Sequence, residues 1–225
     1  MNIVFYWLFV ILCLFYINNN QEFRDINEAL KTPLSVKKLV INAGFGYDKI
    51  SYLNRIGELK NLEELEISEC PGINTLPDGI TELSKLRVLR FNWNGGDGID
   101  DWHVEFEKLA ELDSLEVLIL GYYNNIGHLS SKVGELKNLK GLYLSMTETQ
   151  SLPKEMGKLK KLEYLDISMT QIEKLPKELA ELPNLKKIII FSTPLSRDVH
   201  TLKKTKEFFK NCEFIEEQKP KYNKY

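Results

Sequence analysis

LKNLEELEISEC (residues 59–70), LSKLRVLRFNWN (83–94), LDSLEVLILGYY (112–123), LKNLKGLYLSMT (136–147), LKKLEYLDISMT (159–170) and LPNLKKIIIFST (182–193) are six versions of one segment. In register, each fits L-x-x-L-x-x-L-x-L/I/F followed by a small or polar residue. Their first leucines stand 24, 29, 24, 23 and 23 residues apart. Agreement at a nearly fixed period excludes chance and predicts a chain of stacked repeats.

The physical content of one repeat is legible in its first copy. Leu65 and Ile67 are separated by strand spacing, with Glu64 and Glu66 on the opposite side. So short a strand is unstable alone. Stacked on its copies it gains ladder hydrogen bonds, and the inward leucines merge into one core. Because each strand runs the same way the sheet is parallel, and a crossover must return the chain each time. LPDGI (76–80), LPKEM (152–156) and LPKEL (175–179) are that return. Proline suits the first position of a short helix, where a backbone N–H is not needed. Short helical or 3-10 turns are therefore expected on the convex side, and the parallel sheet on the concave side.

Outside the six copies, Val36, Leu39 and Ile41 align as a degenerate first strand, which makes seven repeats. Ahead of it, the stretch FRDINEALKTPLSV (23–36) reads as a short helix up to Thr32. Asp25 is its cap, Glu28 stands three residues on as in a capping box, and Pro33 ends it. At the other end, Arg197 to Asn211 reads as a helix and CEFIEE (212–217) as a last strand. Such caps cover the open ends of a repeat core.

These motifs resemble the leucine-rich repeat family, in its short variety with an L-P-x-x-[IL]-G/A-x-L return, as in bacterial extracytoplasmic and Ras-group proteins. NEALKTPLSVKKLVI (27–41) is similar to the entry segment of bacterial members. The resemblance covers about residues 23–216. It implies an α/β fold: a curved leucine-rich repeat solenoid with a parallel β-sheet on its concave face and helical N- and C-terminal caps. The expected organisation is a signal peptide or membrane anchor at 1–20, a helical cap at 21–35 and seven repeats at 36–193, then a C-terminal cap at 194–218 and a disordered tail at 219–225. For function it implies a ligand- or protein-binding scaffold, with the ligand unspecified.

Composition narrows the classes. The 225 residues hold 30 basic and 32 acidic groups, a net charge of −2, which gives no pull toward nucleic acid. Residues 3–17 form an uncharged apolar run that no repeat requires. It is short for a spanning helix and suits the core of a secretory signal. No basic side chain precedes it and no A-x-A-like cleavage site follows. An extracytoplasmic protein is expected, touching a membrane only through this segment. Cys70 and Cys212 are about five repeats apart, roughly 25 Å at the spacing of parallel strands. They are too far apart for a disulfide.

No convergent chemistry is visible. His103, His128 and His200 are scattered, and no H-x-x-x-H, C-x-x-C, G-x-S-x-G or phosphate-loop spacing occurs. No catalytic, cofactor-binding or metal-ligating residue is assigned, and no cofactor is expected. In the longest repeat, Asp97, Asp100 and Asp101 sit among glycines at 94–101. They match no EF-hand loop, and such loops are ordinarily turns. The insertion also carries Trp93 and Trp102, which either enlarge a binding face or plug a longer repeat.

The concave face is the remaining candidate. Strand alternation turns Glu64, Glu66, Arg90, Ile119, Tyr143, Tyr164, Asp166 and Phe191 outward, with Trp93, Tyr122, Met146 and Met169 just after the strands. From the third repeat to the seventh this face is aromatic or aliphatic, and contiguous apolar patches mark interaction sites. The predicted anchors are Arg90, Trp93, Ile119, Tyr122, Tyr143, Tyr164 and Phe191. The leading expectation is a non-catalytic scaffold for a protein partner. The alternatives are a glycan or cell-wall ligand stacked on the tyrosines, and an intracellular adaptor of the Ras-group type.

Overall fold

The computed structural model describes residues 22–42, 47–68, 70, 75–92, 105–121 and 126–217. The apolar run at 3–17, the insertion at 94–101 and the tail at 219–225 lie outside them. The repeats pair in chain order into one parallel sheet. Its strands are β1 (Glu22–Phe23), β2 (Lys38–Asn42), β3 (Glu64–Ser68), β4 (Val88–Asn92), β5 (Val117–Gly121), β6 (Gly141–Tyr143), β7 (Tyr164–Asp166), β8 (Lys187–Ile189) and β9 (Glu213–Ile215). Register follows the aligned leucines: Leu65 lies beside Leu89, Leu89 beside Leu118 and Leu118 beside Leu142. All four are fully buried, as are Leu39, Leu165 and Ile188 in the same row. Burial of each such side chain contributes roughly 1.5–3 kcal/mol, so stacking supplies what no single repeat can.

Returns form on the core side of the sheet. Short 3-10 turns span Asp78–Glu82, Ser131–Glu135, Lys154–Lys158 and Lys177–Glu181. Proline stands one residue earlier than the pattern predicts. Pro77, Pro153 and Pro176 are the caps, and their carbonyls accept from Ile80, Met156 and Leu179 N–H at 3.0, 3.1 and 3.1 Å. The longest repeat instead returns through a true helix, α2 (Phe106–Ala110), which buries Phe106 and Leu109.

The caps differ in detail from expectation. Phe23 is not on the first helix. It pairs with Leu39 in β1, where a strand lets it pack against the core, and α1 is only Ile26–Ala29. Asp25 caps α1 as expected, accepting from Asn27 and Glu28 N–H at 2.8 and 3.4 Å. Glu28 receives Lys31 Nζ at 2.7 Å. The C-terminal helix is two helices, α3 (Pro194–Arg197) and α4 (Val199–Phe208), divided at Asp198. Its carboxylate accepts from His200 and Thr201 N–H, both at 3.1 Å, and so begins a new helix there.

Two further devices hold the repeats in step. The residue before each strand from β2 to β8 alternates in charge along the molecule: Lys37, Glu63, Arg87, Glu116, Lys140, Glu163, Lys186. Lys37 meets Glu63 at 3.2 Å, Arg87 meets Glu116 at 2.9 Å and Lys140 meets Glu116 at 3.0 Å. Leaving β6 and β7 the chain turns through Met146 and Met169, and after β8 through Ser192, with φ of 63°, 57° and 58°. This left-handed conformation costs about 1 kcal/mol for a residue with a Cβ. It tucks in the next residue, so that Thr147, Thr170 and Thr193 hydroxyls donate to Leu144, Ile167 and Ile190 carbonyls at 2.7, 2.6 and 2.7 Å.

Candidate functional site

Opposite the core, side chains of the strands form rows across the sheet. Register places Glu66, Arg90, Ile119, Tyr143, Asp166, Ile189 and Ile215 in one central row, each beside the next. Glu64, Val88, Val117, Gly141, Tyr164, Lys187 and Glu213 form the row toward the strand starts. Parallel pairing thus sets side by side residues 23 to 29 positions apart in sequence.

Three of the predicted anchors are not open to a partner. Arg90, Ile119 and Tyr143 are only 3%, 3% and 8% exposed. Arg90 is drawn down rather than out, donating from Nη1 to Glu64 Oε2 at 3.3 Å, with both side chains almost completely buried. It reaches diagonally to Glu64 and not straight across to Glu66. Its Nε is buried with no partner, as is Asn92 Oδ1. Tyr143 folds over the glycine two residues before it. A Cβ on Gly141 would meet the Tyr143 ring at 2.8 Å, so the ring occupies the space a side chain would fill. Ile119 stands between these two and is sealed with them.

The accessible part of the face lies farther along. Tyr164, Asp166, Ile189 and Phe191 are all half-buried, with Met146 and Met169 beside them at the strand exits. Of the anchor set, Tyr164 on β7 and Phe191 just beyond β8 are thus partly open. Trp93 and Tyr122 lie outside the described residues.

Asp166 is the residue the anchor set omits. Its Oδ1 accepts the Ser168 N–H at 2.9 Å and the Ser168 hydroxyl at 2.6 Å. Ser168 Oγ also lies 2.9 Å from Ser145 Oγ on the neighbouring repeat. Loss of solvent among these neighbours pushes the Asp166 carboxyl up to about 6, against the opposing pull of the two Ser168 bonds. No basic group among the described residues pairs with it. A signal for this exists in the sequence. Aligning the outward positions puts Tyr143, Tyr164, Ser168 and Ile189 around Asp166 with Lys187 diagonal to it, and the structure turns that lysine to Glu213 instead.

Elsewhere the titratable groups do not converge. His128 Nδ1 lies 2.9 Å from Ser151 Oγ on an exposed return, and His200 is exposed on α4. Among the described residues no group of three or more His, Cys, Asp or Glu could hold a metal ion, and no helix is long and apolar enough to cross a membrane. The buried Cys70 thiol donates to the Ser68 carbonyl at 3.1 Å, and Cys212 is a free thiol. Burial first, and then Glu213 beside it, push the Cys212 thiol up to about 11, which keeps it protonated and unreactive.

The profile of the family described as "Leucine-rich repeat region" matches residues 99–217. Over 121 residues, 52% of its length, the chain is 38% identical to TMV resistance protein N of Nicotiana glutinosa. Over 107 residues, 48% of its length, it is 30% identical to the volume-regulated anion channel subunit LRRC8A of Homo sapiens. Those stretches are 10% and 12% of the two relatives, so this chain corresponds to a small part of each. Among solved structures it is similar to a leucine-rich repeat protein of Leptospira interrogans, with TM-score 0.54 and 21% identity over 92% of this chain and 61% of that one. It is also similar to an internalin of Listeria monocytogenes, with TM-score 0.57 and 15% identity over 91% of this chain and 60% of that one. At such identities the likeness is one of fold.

Proposed function

This chain belongs to the leucine-rich repeat family, and on that premise we propose that it is an exported, non-catalytic scaffold that binds a protein partner through the outward face of its sheet. A protein-interaction scaffold is what the fold supports in general. The choice of face rests on one observation. Between β6 and β9, Tyr164, Ile189 and Phe191 stay partly open although a sealed core is available on the other side of the same strands. Folding alone has no use for such a patch on a solvated sheet. Export rests on the apolar run at 3–17.

A protein partner is favoured over a glycan. Stacking on a sugar needs open aromatic faces, and Tyr143 is closed down on Gly141. Tyr164 and Phe191, spaced along a partly apolar surface, suit side-chain pockets of a protein interface.

The test is capture from an extract of the source cells on the immobilised full chain. The control carries Tyr164→Ala and Phe191→Ala, with an unfolding free energy within about 1 kcal/mol of the parent, as their partial exposure allows. A protein held by the first and lost by the second is the expected result. Equal capture by both places the binding surface elsewhere and refutes this assignment of the face.

A further inference from the structure

We propose that the partner presents an arginine or lysine side chain to this face, its charged head on the Asp166 carboxylate and its stem against Tyr164 and Ile189. The inference rests on the reading of this face as a protein-binding surface and names the chemistry of what it binds.

Three observations carry it. The first is position. Asp166 stands in the central row between Tyr143 and Ile189, two residues from Tyr164 on its own strand, so its surroundings are aromatic and aliphatic. The second is the division of labour between its oxygens. Oδ1 is held by the N–H and hydroxyl of Ser168, which fixes the carboxylate in place. Oδ2 accepts no hydrogen bond from the described residues, and it is not among the atoms sealed from solvent. One oxygen is tied down and the other is left to an outside donor.

The third is the missing counter-charge. On the same face Glu22 is paired with Lys38 at 2.6 Å, Glu64 with Arg90 at 3.3 Å and Glu213 with Lys187 at 3.2 Å. Glu66 forms no such pair among the described residues but stands next to Arg90 in the central row, where Asp166 has Tyr143 and Ile189 for neighbours. Lys187, diagonal to Asp166 across β7 and β8, is thus turned away to the last strand. An asparagine would accept the same two Ser168 bonds without a charge. The carboxylate therefore costs the fold something that an amide would not, and a cation arriving with a partner is the group that offsets it. Desolvation of the carboxyl agrees with this, since it strengthens any ion pair formed there.

The neighbours suit a long basic side chain in particular. Lysine and arginine stems lie well along apolar surface while the head seeks charge. An aromatic face adds to the attraction for the same head. Met146 and Met169 are unbranched and can repack around a stem of either kind.

The experiment is selection of a displayed library of random linear dodecapeptides on the full chain, with affinities of the selected peptides then measured on wild type, Asp166→Asn and Tyr164→Ala. Urea unfolding confirms that each variant is folded. The expected result is enrichment of peptides with Arg or Lys beside apolar residues, which bind Asp166→Asn at least tenfold more weakly and lose that preference as salt rises. Peptides without basic enrichment, or bound equally by Asp166→Asn, but lost on Tyr164→Ala, would overturn this inference and leave the binding face standing. Absence of any peptide that depends on Tyr164 would overturn both.

Discussion

Arg90 on β4 and Asp166 on β7 sit in one row of one sheet, three strands apart, and are treated in opposite ways. Arg90 is buried with its counter-ion Glu64 beside it on the previous strand. Asp166 is half-buried, ringed by Tyr143, Tyr164 and Ile189, and has only the neutral donors of Ser168. The first charge is balanced inside the fold and closed to partners. The second is left for something outside. Exposure and apolarity therefore do not suffice to find a binding position on a repeat sheet. The more informative question is whether each charge on the face already has its opposite.

The largest effect is expected where the balance is broken. Glu64→Ala leaves Arg90 buried and unpaired, and should cost about 3–5 kcal/mol in urea unfolding. Replacing both partners with apolar residues, Glu64→Leu with Arg90→Met, should recover most of that loss. If the single change proves as mild as the double one, the pair is not balanced internally and the contrast with Asp166 fails.

The next effect has the opposite sign. The Asp166 carboxyl is raised from 3.8 to about 6, so the folded protein holds its proton more tightly than the unfolded chain. Stability from this group is thus greatest at low pH, falls as pH rises through about 6, and stays lower above it. The full shift corresponds to roughly 3 kcal/mol. Solvent at a half-buried group reduces this to about 1–2 kcal/mol. Asp166→Asn should therefore stabilise the protein by that amount at pH 8 and hardly at all near pH 4. A destabilised variant at pH 8 would show the charge to be structural.

The smallest effect belongs to the exposed ladder. Burial tends to push the Glu116 carboxyl up, but hydrogen bonds from Arg87 and Lys140 outweigh it and hold it below its usual value. Its contribution is present at neutral pH and lost as pH falls through the lowered value, the reverse of Asp166. Glu116→Gln should cost about 0.5–1 kcal/mol, less at high salt. A loss as large as that of Glu64→Ala would place this ladder among the buried pairs.

Much of this is legible before any coordinates. The six aligned segments specify β3 to β8 and which side chains face the core, because strand alternation is strict and the repeat leaves one register. The C-terminal strand and the Asp25 cap follow from local chemistry. The N-terminal strand does not, because Glu22–Phe23 is too short to carry a pattern and exists only through pairing with β2. Nor does the Asp198 break, where one carboxylate starts a second helix inside a helical pattern. The candidate face is legible as a set of residues and illegible as a surface. Tyr164 and Phe191 are half-open, whereas Tyr143 is closed by a rotamer that uses the empty space over Gly141.

By itself, then, the sequence determines the period, the parallel order and the inward row, since these depend on spacing that every repeat restates. The tertiary structure alone decides which outward charge is balanced. That depends on whether a long side chain reaches diagonally to the preceding strand, as Arg90 does to Glu64, or straight across to the following one, as Lys187 does to Glu213. Side-chain reach and burial between strands set that choice, and neither is encoded in the spacing of leucines.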